Sequence, residues 1–99
     1  MSSLPKLNAE SIESELKSNN LDWVVVNEDV EKLRKEFKFE TFEDAVVFVD
    51  KIALVIAEHN HHPDITISYN KVTLTTWDHE ANGVTQKDID LVKSINLSY

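Results

Sequence analysis

Apolar residues change their spacing repeatedly along this chain, and each change marks a new element. From Asn8, a suitable N-cap, to about Asn20, Ile12 and Leu16 stand four apart among Glu, Ser and Lys, which predicts a short amphipathic helix. Trp23-Val24-Val25-Val26 is aromatic and β-branched and reads as a strand. Between Val30 and Phe39, Leu33, Phe37 and Phe39 alternate with Lys32, Arg34, Glu36 and Lys38. Val30, Leu33 and Phe37 also fit one helical face, but the alternation favours a strand.

A second helix starts at Thr41, with Asp44 completing a capping-box-like pair. Phe42, Ala45, Val46, Val49, Ile52, Ala53 and Ile56 then form one stripe running to about His59. Pro63 disfavours helical backbone at His62, so the helix ends before it. Ile65, Ile67 and Tyr69 alternate with Thr66 and Ser68, and Val72 to Trp77 follows after Asn70-Lys71, which predicts a β-hairpin. Asp78 to Gly83 is a polar loop. Thr85 with Asp88 caps a last helix bearing Ile89, Val92 and Ile95 on one face. The order helix, strand, strand, helix, strand, strand, helix predicts an α+β domain, an antiparallel sheet covered by helices on one side.

The chain has 99 residues, 41% apolar and 28% charged, with one Gly and two Pro. This is a globular composition, and residues 1–99 read as a single domain. With no cysteine, disulfide and thiolate chemistry are excluded. A net charge of -8 argues against direct nucleic-acid binding, which rests on clustered Lys and Arg. Met1 to Lys6 lacks an apolar signal core and no apolar run approaches bilayer length. The expected location is the cytoplasm, without membrane contact. Glu10, Glu13, Glu15 and Lys17 read as solvated helix surface, and Leu97-Ser98-Tyr99 carries no signal.

The chemistry concentrates in Glu58-His59-Asn60-His61-His62-Pro63-Asp64, which holds three of the four histidines. One histidine near a helix C-terminus is ordinarily a solvated residue that suits the dipole; three before a proline ask for more. A metal site fits poorly: His59 and His61 are two apart, adjacent His61 and His62 rarely reach one ion together, and there is no cysteine. Acid-base chemistry fits better. Imidazole, with an ordinary pKa of about 6.5, both gives and takes protons near neutrality. His79, in the loop after the hairpin, can fold back beside the turn carrying His61 and His62, while His59 stays with the helix. Such a constellation suits a dehydratase, in which one group protonates a departing hydroxyl and another removes a proton from the neighbouring atom.

His61-His62-Pro63-Asp64, Tyr69-Asn70-Lys71-Val72, His79-Glu80, Gly83 and Asp88, with Phe37-Lys38-Phe39, Phe42, Ala45 and Phe48 upstream, resemble the signature of the pterin-4a-carbinolamine dehydratases. The resemblance spans roughly residues 20 to 96. It implies a four-stranded antiparallel sheet with three helices on one face, and a strand at 30–39. It also implies dehydration of a 4a-hydroxytetrahydropterin to quinonoid dihydropterin, as in tetrahydrobiopterin-type recycling, with no metal and no organic cofactor. The implied catalytic residues are His61, His62 and His79, and the pterin ring would lie against His61, His62 and Pro63 on one side and Asp78, His79, Glu80 and Ala81 on the other. One of His61 and His79 would protonate the leaving hydroxyl, another histidine would take the N5 proton, and His62 would hold and polarise the ring. The family also implies a homodimer or homotetramer, and animal relatives act as a dimerisation cofactor for a homeodomain transcription factor.

Two positions depart from the family pattern. An acid is common four residues before His61, where this chain has Ala57 and then Glu58. Trp77-Asp78 stands where small hydroxyl residues are usual, and Trp77 reads either as a wall for a flat ring or as a strand residue packed on its neighbour.

Overall fold

The computed structural model describes residues 4–99; Met1 to Ser3, part of the N-terminus weighed above, lie outside the described residues. Seven elements follow one another: α1 (Ala9–Ser18), β1 (Val24–Asn27), β2 (Glu31–Lys38), α2 (Phe42–His59), β3 (Asp64–Ser68), β4 (Lys71–Thr76) and α3 (Gln86–Asn96). The four strands form one antiparallel sheet in the order β1-β2-β4-β3, so the α+β reading and its element order hold.

The segment that periodicity left ambiguous is strand β2, and its register shows why. Leu33 and Phe37 stand opposite Thr76 and Val72, all four of them buried. The intervening Arg34 and Glu36 turn to the other face, as the two-residue period of a strand requires. The apolar face of Leu33, Phe37, Val72 and Leu74 meets residues of all three helices in one core, including Ile12 and Leu16 of α1, Ile52 and Ile56 of α2, and Ile89, Val92 and Ile95 of α3.

Three details differ from the sequence reading. α2 buries Ala45, Phe48, Ile52 and Ile56, whereas Phe42, Val46 and Ala53 are exposed and Val49 is half-buried. Its apolar band is wider than one stripe, and the rotation is set by aromatic contacts: Phe48 lies 4.7 Å from the Phe37 ring and 5.1 Å from the Phe39 ring. β3 is exposed along its whole length despite its alternating sequence: it is an edge strand packed chiefly on β4, with no helix of the described residues laid closely over it. Tyr99, which carried no signal, packs edge-on to Phe37 and Phe48 and accepts a 2.9 Å hydrogen bond from Lys35.

Two connections set up the cleft. Asn60 ends α2 in the left-handed region at φ 51, a conformation asparagine tolerates better than most residues, and so swings His61 and His62 off the helix axis. At the other end of the molecule's hairpin, the loop from Asp78 is held by its bridge to Gly83, with backbone hydrogen bonds of 2.8 and 3.2 Å. The N-terminal segment fastens this loop from outside. Leu7 donates its N–H to the Val84 carbonyl at 2.8 Å, and the Lys6 stem lies over Gly83 so closely that a Cβ there would have to push that side chain aside.

Candidate active site

One wall of the cleft is built around Asp88, in the first turn of α3. Its carboxylate is fully buried and serves three donors. Oδ2 accepts the Thr85 backbone N–H at 2.9 Å, half of the capping box that starts α3. Oδ1 accepts the Thr76 hydroxyl at 2.5 Å and His61 Nε2 at 2.6 Å. A carboxylate accepts, so the His61 proton sits on Nε2, and Nδ1 is the nitrogen left to exchange protons with a ligand. His61 is half-buried and His62 beside it exposed.

The opposite wall is the loop from Asp78 to Asn82. Asp78 is buried and its Oδ1 accepts the N–H groups of Glu80 (2.8 Å) and Ala81 (3.0 Å), folding the loop back on itself. The Ala81 N–H, aided by that of Glu80 and by the charge of Lys87, holds the Asp78 carboxyl below the usual carboxylate range, against the upward push of burial. His79 leaves this turn exposed, its ring 4.4 Å from that of Trp77 at an interplanar angle of 60°.

Between the walls lies a cleft of about 350 Å³ lined by Asn60, His61, His62, Trp77, Asp78, His79, Glu80 and Lys87. The fold thus brings the histidines of the α2–β3 turn and of the Asp78 loop to one place. Of the residues expected around a ring, Pro63 is buried and Ala81 serves through its N–H, and neither lines the cleft. His59 turns away to Ser94 of α3, with 2.8 Å between Nε2 and Oγ. Among the described residues, no group of three or more His, Asp or Glu side chains is arranged to hold a metal ion.

Asp88 was visible in the sequence as a helix cap, and its second partner was not. Ala57 and Glu58 are both exposed, and the carboxylate bound to His61 is that of Asp88, 27 positions further on. Asn60 and Lys87 are further lining residues that spacing did not single out, and Trp77, read above as a wall or as a strand residue, lines the cleft as well.

Comparison with known proteins bears on the family and the fold. The family model described as pterin 4 alpha carbinolamine dehydratase matches residues 5–97. A protein of Cyanothece sp., provisionally named a pterin-4-alpha-carbinolamine dehydratase, is 47% identical over 75 residues, covering 76% of this chain and 74% of its own. One from Sulfolobus acidocaldarius with the same provisional name is 48% identical over 65 residues, 66% of this chain and 71% of its own. The crystal structure of a transcriptional coactivator/pterin dehydratase from Brucella melitensis superposes with a TM-score of 0.83 at 32% identity, covering 93% of this chain and 96% of that one.

Proposed function

Because the chain belongs to the pterin-4a-carbinolamine dehydratase family, we propose that its cleft removes water from a 4a-hydroxytetrahydropterin. The C4a–oxygen bond breaks, the N5 proton leaves, and a C4a–N5 double bond forms, giving quinonoid dihydropterin and water. The reaction neither oxidises nor reduces the ring, so a proton donor and a proton acceptor suffice and no cofactor takes part.

The observation that carries this reading is the buried Asp88 carboxylate behind His61, facing His79 across the cleft. A carboxylate bound to one imidazole nitrogen raises the basicity of the other and stabilises the imidazolium that forms. His61 Nδ1 is therefore assigned the N5 proton. His79, exposed and free of that carboxylate, delivers a proton to the 4a-hydroxyl, and His62 holds the ring with Asp78 and Glu80 at the rim. Pro63 and Ala81 support the two walls from behind. The histidine pair gives the family-typical recycling of tetrahydrobiopterin-type cofactors its chemical basis.

The test follows breakdown of 4a-hydroxytetrahydropterin by stopped flow, with chelator-treated protein and its His61→Ala and His79→Ala variants. General acid-base steps are typically worth about 10²–10⁴-fold, and each variant should lose turnover on that order. Full activity in both variants would sink the assignment, and activity that vanishes on chelation would replace it with a metal reaction.

A protein-interaction role is the second reading. It is favoured by the apolar side chains α2 leaves exposed, Phe42, Val46, Val47 and Leu54, and by Ile65 and Ile67 on the free edge strand β3. A long apolar edge is ordinarily covered, and a homodimer or homotetramer of this single domain would cover it. No helix among the described residues is long and apolar enough to cross a membrane, and in this reading the protein works in the cytoplasm. Sedimentation equilibrium that returned a monomer at micromolar concentration would remove the oligomer.

A further inference from the structure

We propose that Trp77 is a positioning residue for His79, and that Lys32 holds Trp77 in place; the catalytic part of this inference rests on the reading of His79 as the proton donor. His79 sits on an exposed loop, where an imidazole would ordinarily sample several rotamers. Here its ring meets the half-buried Trp77 indole at 4.4 Å between centroids, in the edge-to-face arrangement that aromatic pairs prefer.

Trp77 is itself fixed from β2. The Lys32 ammonium lies over the indole, 4.1 Å from its centroid. Lys32 is in turn held 3.1 Å from Glu28 Oε1 and 3.3 Å from Asp29 Oδ1. Arg34 ties the same Glu28 at 3.0 Å and donates to Thr75 Oγ1 at 2.9 Å, anchoring the group to β4. A continuous set of contacts therefore runs from the β1–β2 turn across the outer sheet face to His79. Trp77 lines the cleft, but its ring is already engaged by an ammonium and an imidazole. That makes it a brace for the imidazole rather than a free platform for a ligand ring. A brace acts on how often the proton donor is aligned and leaves ligand binding alone, so its loss falls on kcat and spares KM.

The contact itself is readable without substrate, because a protonated imidazole against an indole quenches its fluorescence. The charged and titratable groups around His79 are Asp78 and Glu80 of its own loop, His61 and His62 of the facing turn, Lys87 of α3 and, over the indole, Lys32 of β2. The experiment titrates the emission of the substrate-free protein between pH 5 and 8, for the wild type, His79→Asn and Trp77→Phe. Trp77→Phe identifies the share of emission not due to Trp23. Quenching on acidification that disappears in His79→Asn supports the contact, and identical titrations in the two overturn it.

The second arm compares kcat and KM for Trp77→Thr, Trp77→Phe and Lys32→Met. A tenfold fall in kcat for Trp77→Thr with KM within twofold, largely rescued by Trp77→Phe and partly reproduced by Lys32→Met, supports the brace. A rise in KM with kcat unchanged overturns it and makes Trp77 part of the ligand's own wall. Wild-type protein without dehydratase activity but with His79-dependent quenching removes the dehydratase reading and leaves the Trp77–His79 contact supported.

Discussion

The two walls of the cleft hold their histidines by opposite means. His61 is bound through Nε2 to a buried carboxylate on which the Thr76 hydroxyl and the Thr85 N–H also depend, whereas His79 stands exposed on a loop and is steadied by packing against an indole. A hydrogen bond to a buried charge fixes both tautomer and direction; an edge-to-face contact fixes direction and leaves both nitrogens available. The first arrangement suits a group that must accept a proton at a set atom, the second a group that must present one to a leaving hydroxyl.

Removing Asp88 attacks the first wall and should have the largest effect. Asp88→Ala leaves the Thr76 hydroxyl, the Thr85 N–H and His61 without their acceptor, and urea unfolding should show a loss of about 2–4 kcal/mol. Asp88→Asn keeps the shape but removes the charge behind His61 and sets an NH2 group against either His61 and Thr76 or the Thr85 N–H. Turnover should fall by about 10²-fold or more with the circular dichroism unchanged. Wild-type turnover in Asp88→Asn would show that the negative charge behind His61 does not matter.

Asp78→Ala attacks the second wall, and with two N–H groups losing their acceptor it should lower stability by about 1–2 kcal/mol. The effect should depend on pH. The Asp78 carboxyl titrates below its usual range in the folded protein, so the unfolded chain binds the proton more readily. Its contribution is complete above the ordinary aspartate value of about 3.9 and disappears as pH falls through the lowered one. The stability gap between wild type and Asp78→Asn should be flat above about pH 5 and narrow below about pH 4. A gap that widened on acidification would reverse the sign of this coupling.

Glu58→Ala should do least. Its exposed side chain lies outside the cleft lining, and both stability and turnover should stay close to wild type, within about 0.5 kcal/mol. A large loss of turnover would give Glu58 of α2 a part in the site beside Asp88.

What the sequence disclosed follows the range of the interactions involved. Local patterns placed every element, including the break at Pro63 and the cap at Thr85, because caps and periodicities act within a few residues. They misjudged the inward face of α2, because Phe37 of β2, Phe39 just after it and Tyr99 pack on Phe48 while Phe42 and Val46 stay exposed. In the site, the histidines could be picked out by residue type. Their supports could not: the link from Asp88 to His61 crosses 27 positions, and the brace on Trp77 comes from Lys32 on another strand.

The capping box of α3 has a consequence for how this chain can diverge. At the third position of a helix, Glu and Gln usually serve as well as Asp, and many proteins exchange them freely. Here the acid that starts the helix also reaches out of it to an imidazole 2.6 Å away. A side chain one methylene longer could keep the helix and still displace His61. A substitution that would be silent in most helices therefore breaks a second contact at this one, and position 88 answers both to the helix it starts and to the imidazole it holds.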